Sequence, residues 1–126
     1  MNSEFYTMWF SMWGDAGLYR QQIGPVMNAL EIMWNQNASF SLYMVHGGTN
    51  FGFWNGAETN GPVRHKIWMK LNFKIKVITS YDYAAPISEE GQVTPLFEAI
   101  SNWIGQKPNW PTPPLPIPAN RTLVVK

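Results

Sequence analysis

The chain has no cysteine among its 126 residues. This excludes disulfides, a thiolate nucleophile and cysteine-ligated metal sites, although it does not fix a cellular compartment. Its net charge is only +1, so it carries no overall electrostatic attraction for nucleic acid or for an anionic membrane. We therefore expect no nucleic-acid partner and no membrane partner.

Long apolar runs are also missing. No uninterrupted apolar stretch approaches the roughly 18 residues that a membrane helix needs. The first residues lack the basic and then apolar pattern of a signal peptide. If the protein is exported, its targeting information is expected upstream of Met1. The length of 126 residues allows one domain.

Charged residues are scarce and aromatic residues are abundant. Asp, Glu, Lys and Arg make up 13% of the chain and aromatics 15%, whereas globular proteins are roughly 25% charged. Either the rings form an aromatic core, or some of them line a pocket for a flat, half-apolar ligand such as a sugar. The stretch NSEFYTMWFSMWG, residues 2–14, raises this question most sharply, because it places the carboxylate of Glu4 among five rings.

The order of secondary structure elements predicts a parallel α/β fold. Residues 2–13 are typical of a buried strand that runs into a loop, and 39–46 of a second buried strand. Between them, an apolar stripe predicts a helix over about 25–35, with Pro25 in its first turn. Strand, helix and strand form one βαβ unit, and ligand sites in such folds collect at the carboxyl ends of the strands.

A second helix is predicted over 95–104. Thr94 is suited to cap it, Pro95 to open it and Gly105 to end it. From Pro108 the sequence PNWPTPPLPIPANR has six prolines by residue 118, which excludes helix and central strand. We interpret this segment as a stiff connector, and a ligand for a proline-recognising module is the alternative.

The segment RHKIWMKLNFKIKV, residues 64–77, differs from its surroundings. It has five of the nine basic residues and no acidic one, and apolar and mostly basic side chains alternate along it. The period of two predicts a strand with one apolar and one basic face, such as an edge strand protected by lysines. One basic strand alone is a weak signal for nucleic-acid or membrane binding.

Three segments together resemble glycoside hydrolase family 35, the β-galactosidase family. They are residues 2–14, 41–57 (SLYMVHGGTNFGFWNGA) and 79–91 (TSYDYAAPISEEG). The resemblance implies a (β/α)8 TIM barrel, of which this chain holds the last two β/α units. On this mapping 1–107 is the C-terminal portion of the catalytic barrel, and 108–126 is a linker toward β-rich domains.

The resemblance also implies functional residues. Glu4 is the expected catalytic nucleophile at the end of the seventh barrel strand, and Trp9, Tyr43, Tyr81 and Tyr83 are expected to line a galactose pocket. The resemblance implies a β-galactoside substrate and no cofactor or metal, and the full-length protein is expected in a lysosome or vacuole or outside the cell. From the residues alone, Tyr43 also suits a core position, and 80–86 also suits an ordinary turn with Asp82 as an Asx residue.

Three other polar residues near these segments receive ordinary interpretations. His46 is expected to be a satisfied polar residue at a strand end, because no ligand spacing connects it with His65. Glu89 and Glu90 are expected on a solvated loop before the second helix.

The chain departs from the family pattern in three places, one of which is Met8, where the family usually has a small residue. The family's acid/base glutamate belongs to an Asn-Glu pair, and no such pair occurs in this sequence. The 64–77 insert separates segments that the family joins more directly, and we hypothesise that it is translated intron sequence or an artefact of gene prediction. We therefore expect a fragment that begins at an internal methionine and is inactive alone, with a non-catalytic carbohydrate-binding or interaction fragment as the alternative.

Overall fold

The structure, a computed structural model, describes residues 1–58 and 75–121. Its helices and strands follow the predicted order, with one additional short strand before the predicted basic strand. They are β1 (Asn2–Tyr6), α1 (Ile23–Asn35), β2 (Phe40–Tyr43), β3 (Ala57–Glu58), β4 (Ile75–Lys76) and α2 (Pro95–Gly105). Both helices lie within two residues of their predicted bounds, whereas both main strands are shorter than predicted.

β1 and β2 pair in parallel, as the βαβ pattern predicts. Asn2 is opposite Phe40 and Tyr6 is opposite Tyr43, with an irregularity in register between Asn2 and Phe5. Beyond Tyr6 the chain leaves this sheet, and Met12 instead forms an antiparallel bridge with Val77. The carboxyl ends of β1 and β2 therefore lie side by side.

The main core lies between the two helices. α1 contributes Val26 and Leu30, and α2 contributes Leu96, Ile100 and Trp103. Leu30 and Leu96 are fully buried. Spacings of three or four residues put the buried side chains of each helix on one face. The Thr94 side chain accepts a hydrogen bond from the backbone N–H of Phe97, so the predicted cap of α2 is confirmed.

An ion pair connects Lys107, two residues after α2, with Glu31 on α1. Lys107 Nζ lies 2.5 Å from a carboxylate oxygen of Glu31, and Trp103 donates its indole N–H to the same oxygen at 2.6 Å. Lys107 also lies 4.8 Å from the ring centroid of Trp103. These hydrogen bonds, from Lys107 first and Trp103 second, hold the pKa of Glu31 below its ordinary value of 4.5.

We expect Glu31→Gln to lower the melting temperature in a pH-dependent way. Because the folded-state pKa of Glu31 is depressed, its ionised form stabilises the fold above about pH 4.5 and this stabilisation is lost as the pH falls through the lowered pKa. Thermal melts of both proteins from about pH 3 to pH 7 should therefore diverge with rising pH. A difference in melting temperature that is the same at every pH would show that the ionised Glu31 carboxylate is not the source of the stabilisation.

Most of the predicted basic strand 64–77 lies outside the described residues. Its last part is described: β4 pairs antiparallel with β3, Ala57 opposite Lys76. Lys76 is exposed and Val77 is buried, as the predicted alternation requires for these two positions.

The proline-rich segment has neither helix nor strand over the described residues 108–121, in agreement with the prediction. It runs along the domain rather than away from it. Trp110 stacks on Trp34 with ring centroids 5.5 Å apart, and the side chain of Asn120 hydrogen-bonds both backbone groups of Val93. Neither helix in the described part of the chain is long and apolar enough to cross a membrane.

Candidate functional site

The four predicted aromatic site residues meet in one cluster at the carboxyl ends of β1 and β2. Tyr83 lies at its centre and is only 3% exposed. Its ring centroid lies 5.2–6.2 Å from those of its neighbours, an ordinary range for aromatic pairs. These neighbours are Tyr6, Trp9, Phe10, Tyr43 and Tyr81. We call these six residues the aromatic cluster.

Glu4 is exposed on β1 and is joined to this cluster through Tyr6. The Tyr6 hydroxyl donates a hydrogen bond to the Glu4 carboxylate. The Tyr6 ring in turn lies 5.4 Å from Trp9 and 5.3 Å from Tyr43. Sequence reasoning assigned no role to Tyr6, although its position two residues after Glu4 on a predicted strand places both side chains on one face.

The far side of the cluster carries polar groups as well as rings. The hydroxyl oxygens of Tyr43 and Tyr81 lie 3.3 Å apart, within hydrogen-bonding distance. Phe10, a second residue to which the sequence analysis gave no role, stacks on Tyr81 with centroids 5.8 Å apart. Burial first, and the neighbouring phenols second, raise the pKa of Tyr83, so Tyr83 remains a neutral phenol at neutral pH.

The backbone around Tyr83 takes an unusual path. Tyr83 and Ala84 both have positive φ, at 63° and 49°, a conformation that non-glycine residues adopt rarely. The Asp82 carboxylate accepts hydrogen bonds from the backbone N–H groups of Ala84 and Glu89. The predicted Asx turn is therefore present, and it holds the aromatic cluster's central residue in place.

Glu89 lies on the loop before α2, as expected, but it is half-buried and its carboxylate is bonded within the protein. Its carboxylate accepts hydrogen bonds from the hydroxyls of Thr49 and Ser80, each at 2.5 Å. Glu89 is nine and forty residues away from these partners in the sequence, which explains why no local pattern indicated the contacts.

His46 Nε2 lies 3.4 Å from the backbone oxygen of Glu89. Within residues 1–58 and 75–121, no group of three potential ligands is placed to hold a metal.

A cavity elsewhere in the described part of the chain does not include this site. It measures about 600 Å³ and is apolar, with β2, α2 and the proline-rich segment as its walls. A smaller hollow of about 380 Å³ borders Tyr6 and Trp9. Neither cavity is lined by Glu4, Tyr43 or Tyr83. We assign the candidate site to the surface formed by Glu4 and the aromatic cluster, because reaction chemistry needs their polar groups.

The bond between Tyr6 and Glu4 makes a titration experiment possible. The hydrogen bond to the carboxylate, then desolvation and the negative charge of Glu4, raise the pKa of Tyr6 above 10.0. We expect Glu4→Gln to lower the pKa of Tyr6 toward 10.0, because the neutral amide no longer favours the protonated phenol. Titration of ¹³Cζ-tyrosine-labelled protein by NMR measures this, with Tyr6→Phe identifying the signal. A titration midpoint of Tyr6 that is the same in wild type and Glu4→Gln would contradict the hydrogen bond between Tyr6 and Glu4.

Comparison with known proteins matches nearly the whole chain. The model of the family described as glycosyl hydrolases family 35 matches residues 1–107. The chain is 43% identical over 119 residues to the mouse beta-galactosidase-1-like protein, covering 94% of this chain and 17% of that protein. It is 43% identical over 128 residues to beta-galactosidase 1 of Dictyostelium discoideum, covering 98% of this chain and 18% of that protein.

A human relative is more distant. Human beta-galactosidase is 37% identical over 116 residues, which cover 92% of this chain and 15% of that protein. The chain therefore spans less than a fifth of the length of these relatives.

Proposed function

Because this chain belongs to glycosyl hydrolase family 35, we propose that it provides the nucleophile and part of the sugar-binding wall of a retaining β-galactosidase. The family is a glycosidase family, so the substrate class is a glycoside, and its catalytic domain is a TIM barrel. In this proposal β1 and β2 are the seventh and eighth barrel strands. The segment 108–126 leads toward β-rich domains of a longer protein.

The observation that carries the proposal is the junction between Glu4 and the aromatic cluster. A retaining glycosidase uses one carboxylate to attack the anomeric carbon and a second carboxyl group, about 5–5.5 Å away, to protonate the leaving oxygen. The attacking carboxylate has to be exposed to substrate and held in one orientation. Glu4 is exposed on β1, two residues before its carboxyl end, and the Tyr6 hydroxyl orients it.

The cluster supplies the complementary surface for a sugar. One face of a pyranose ring is apolar and stacks on aromatic rings, while its hydroxyls need hydrogen-bonding groups. Trp9 is 36% exposed beside Tyr6 and offers its indole face. The neighbouring hydroxyls of Tyr43 and Tyr81 offer donors and acceptors.

The second carboxyl group is the part that this chain does not provide in the proposal. The sequence has no Asn-Glu pair, and Glu4 is the one acid whose carboxylate bonds a member of the aromatic cluster among the contacts described. Two strands also cannot close a barrel. The 126 residues alone are therefore expected to bind sugar without turning it over, which is also the second candidate function, a non-catalytic carbohydrate-binding or interaction module.

Two measurements on the purified chain test this. With a p-nitrophenyl β-galactoside we expect no continuous nitrophenol release beyond one equivalent per chain, and continuous release that Glu4→Gln abolishes would contradict the proposed lack of turnover. In saturation-transfer NMR we expect D-galactose, and not its C4 epimer D-glucose, to receive magnetisation from the protein, with loss of the signal in Trp9→Ala. Equal signals from both sugars, or none from galactose, would contradict the sugar site.

The remaining context is proposed on the same basis. The full-length protein is proposed to act on terminal β-galactosides outside the cell or in a lysosome or vacuole. Its partners in the active site are the other barrel strands, which would bring the acid/base carboxyl group to face Glu4.

A further inference from the structure

Glu89 connects three separate segments around the aromatic cluster. Its carboxylate accepts from Thr49, in the loop after β2, and from Ser80, each at 2.5 Å. Its backbone N–H donates to Asp82 at 3.0 Å. Thr49 and Ser80 are also antiparallel bridge partners. The Glu89 carboxylate therefore connects the side chains of two residues whose backbones are already paired.

The partners of Glu89 lie directly beside the tyrosines of the cluster. Ser80 precedes Tyr81, and Asp82 separates Tyr81 from Tyr83 in the chain. The Tyr81 N–H donates to the backbone oxygen of Gly48, next to Thr49, at 2.9 Å. A displacement of Ser80 or Thr49 would therefore be transmitted to the Tyr81 backbone within one residue.

Glu89 differs in this respect from its neighbour Glu90. Glu90 is exposed, and its carboxylate hydrogen-bonds Ser88 within the same turn, which lowers its pKa. The two side chains have the same chemistry at adjacent positions, but only the contacts described for Glu89 reach segments far away in the sequence. Glu90 is thus a matched control.

We infer that Glu89 is a positioning residue that fixes Tyr81 and Tyr83 in the orientation used for sugar contact. It acts through Thr49, Ser80 and Asp82 and does not itself need to touch the sugar. The part of this inference that concerns sugar rests on the proposed function. The positioning of the two tyrosines does not.

The chemistry of the Glu89 carboxylate predicts that its variants differ in how far they displace the tyrosines. An ionised carboxylate accepts from both hydroxyls, and such charge-assisted hydrogen bonds are roughly twice as strong as neutral ones. In Glu89→Gln one oxygen still accepts, while the amide group has to use a reoriented hydroxyl as its acceptor. In Glu89→Ala both contacts are lost. We expect displacement of the tyrosines to increase from wild type to Gln to Ala.

The experiment uses the 126-residue chain labelled with ¹³Cζ-tyrosine, with signals assigned by single Tyr→Phe variants. We expect the Tyr81 and Tyr83 signals to move in Glu89→Gln and to move further in Glu89→Ala. The signal of Tyr19, which is exposed in the 14–22 loop, is expected to stay in place, and Glu90→Gln is expected to resemble wild type. Galactose affinity is expected to fall about tenfold in Glu89→Ala, the size of roughly one lost hydrogen bond between a displaced tyrosine hydroxyl and the sugar, and less in Glu89→Gln.

Unmoved Tyr81 and Tyr83 signals in Glu89→Gln would overturn the inference, and this variant decides the question if Glu89→Ala does not fold. The two readouts also separate the two proposals. If the Tyr81 and Tyr83 signals move in the Glu89 variants but the wild-type chain binds no galactose, the positioning role is supported and the proposed function is contradicted.

Discussion

The purified chain is expected to acquire one covalent sugar, on Glu4, when it is incubated with 2,4-dinitrophenyl 2-deoxy-2-fluoro-β-D-galactoside. In this reaction a Glu4 oxygen bonds to the anomeric carbon, and the bond from that carbon to the dinitrophenolate oxygen breaks. The leaving group departs with the electron pair and needs no proton. The reaction therefore tests the nucleophile separately from the acid/base group, which this sequence does not offer in an Asn-Glu pair.

The fluorine at C2 makes the product persist, because it disfavours the oxocarbenium-like transition state of hydrolysis. Mass spectrometry of the intact chain and of its peptides measures the adduct. We expect Glu4→Gln to reduce labelling by at least about 10⁴-fold, as for removal of other enzymatic nucleophiles. Glu98→Gln removes an exposed carboxylate on α2 and should label like wild type. An adduct on any other residue, or undiminished labelling of Glu4→Gln, would show that Glu4 is not the nucleophile.

Gly47→Ala is expected to cost more stability than any other single methyl group added at a glycine of the described residues. A Cβ atom at Gly47 would lie 1.6 Å from the backbone oxygen of Tyr81 and 2.8 Å from its carbonyl carbon. No rotamer change relieves a clash between backbone atoms, so the two segments have to separate. We expect the free energy of unfolding to fall by about 3 kcal/mol or more, at the upper end of overpacking effects.

The matched control is Gly56→Ala in the same loop. A Cβ atom at Gly56 would meet nothing within 4 Å, so its melting temperature should stay close to that of wild type. Urea unfolding followed by circular dichroism compares the three proteins. Because Tyr81 is displaced in Gly47→Ala, galactose binding should be lost with the stability, and a Gly47→Ala protein as stable as Gly56→Ala would contradict the close approach.

The elements of this fold that depend on local patterns could be predicted from the sequence. Both helices are observed close to the bounds that local signals predict. These signals are the apolar spacing of Val26 and Leu30 and the Thr94 cap of α2. The strands were harder. The aromatic run after Tyr6 has strand character, but it leaves β1 because residues 12–13 pair with the segment at 76–77 instead, and that competition is non-local.

The same division applies to the site. The aromatic types at Trp9, Tyr43, Tyr81 and Tyr83 were readable as a set only through resemblance to a family, and the structure brings them together around Tyr83. Their roles toward sugar remain predictions. The contribution of Glu89 was not predictable, because its hydrogen-bond partners are nine and forty residues away and no periodicity connects such positions.

The packing of the proline-rich segment gives the protein a built-in optical signal. Trp110 lies 5.5 Å from Trp34 and 6.0 Å from Trp103, close enough for the excited states of the indoles to couple. Such coupling produces a paired positive and negative band in far-ultraviolet circular dichroism that is distinct from the helix spectrum. Trp34 and Trp103 also lie 6.1 Å apart, so release of the segment from the helices would reduce the pair of bands to the contribution of these two indoles. The attachment of the segment can therefore be followed without any added dye.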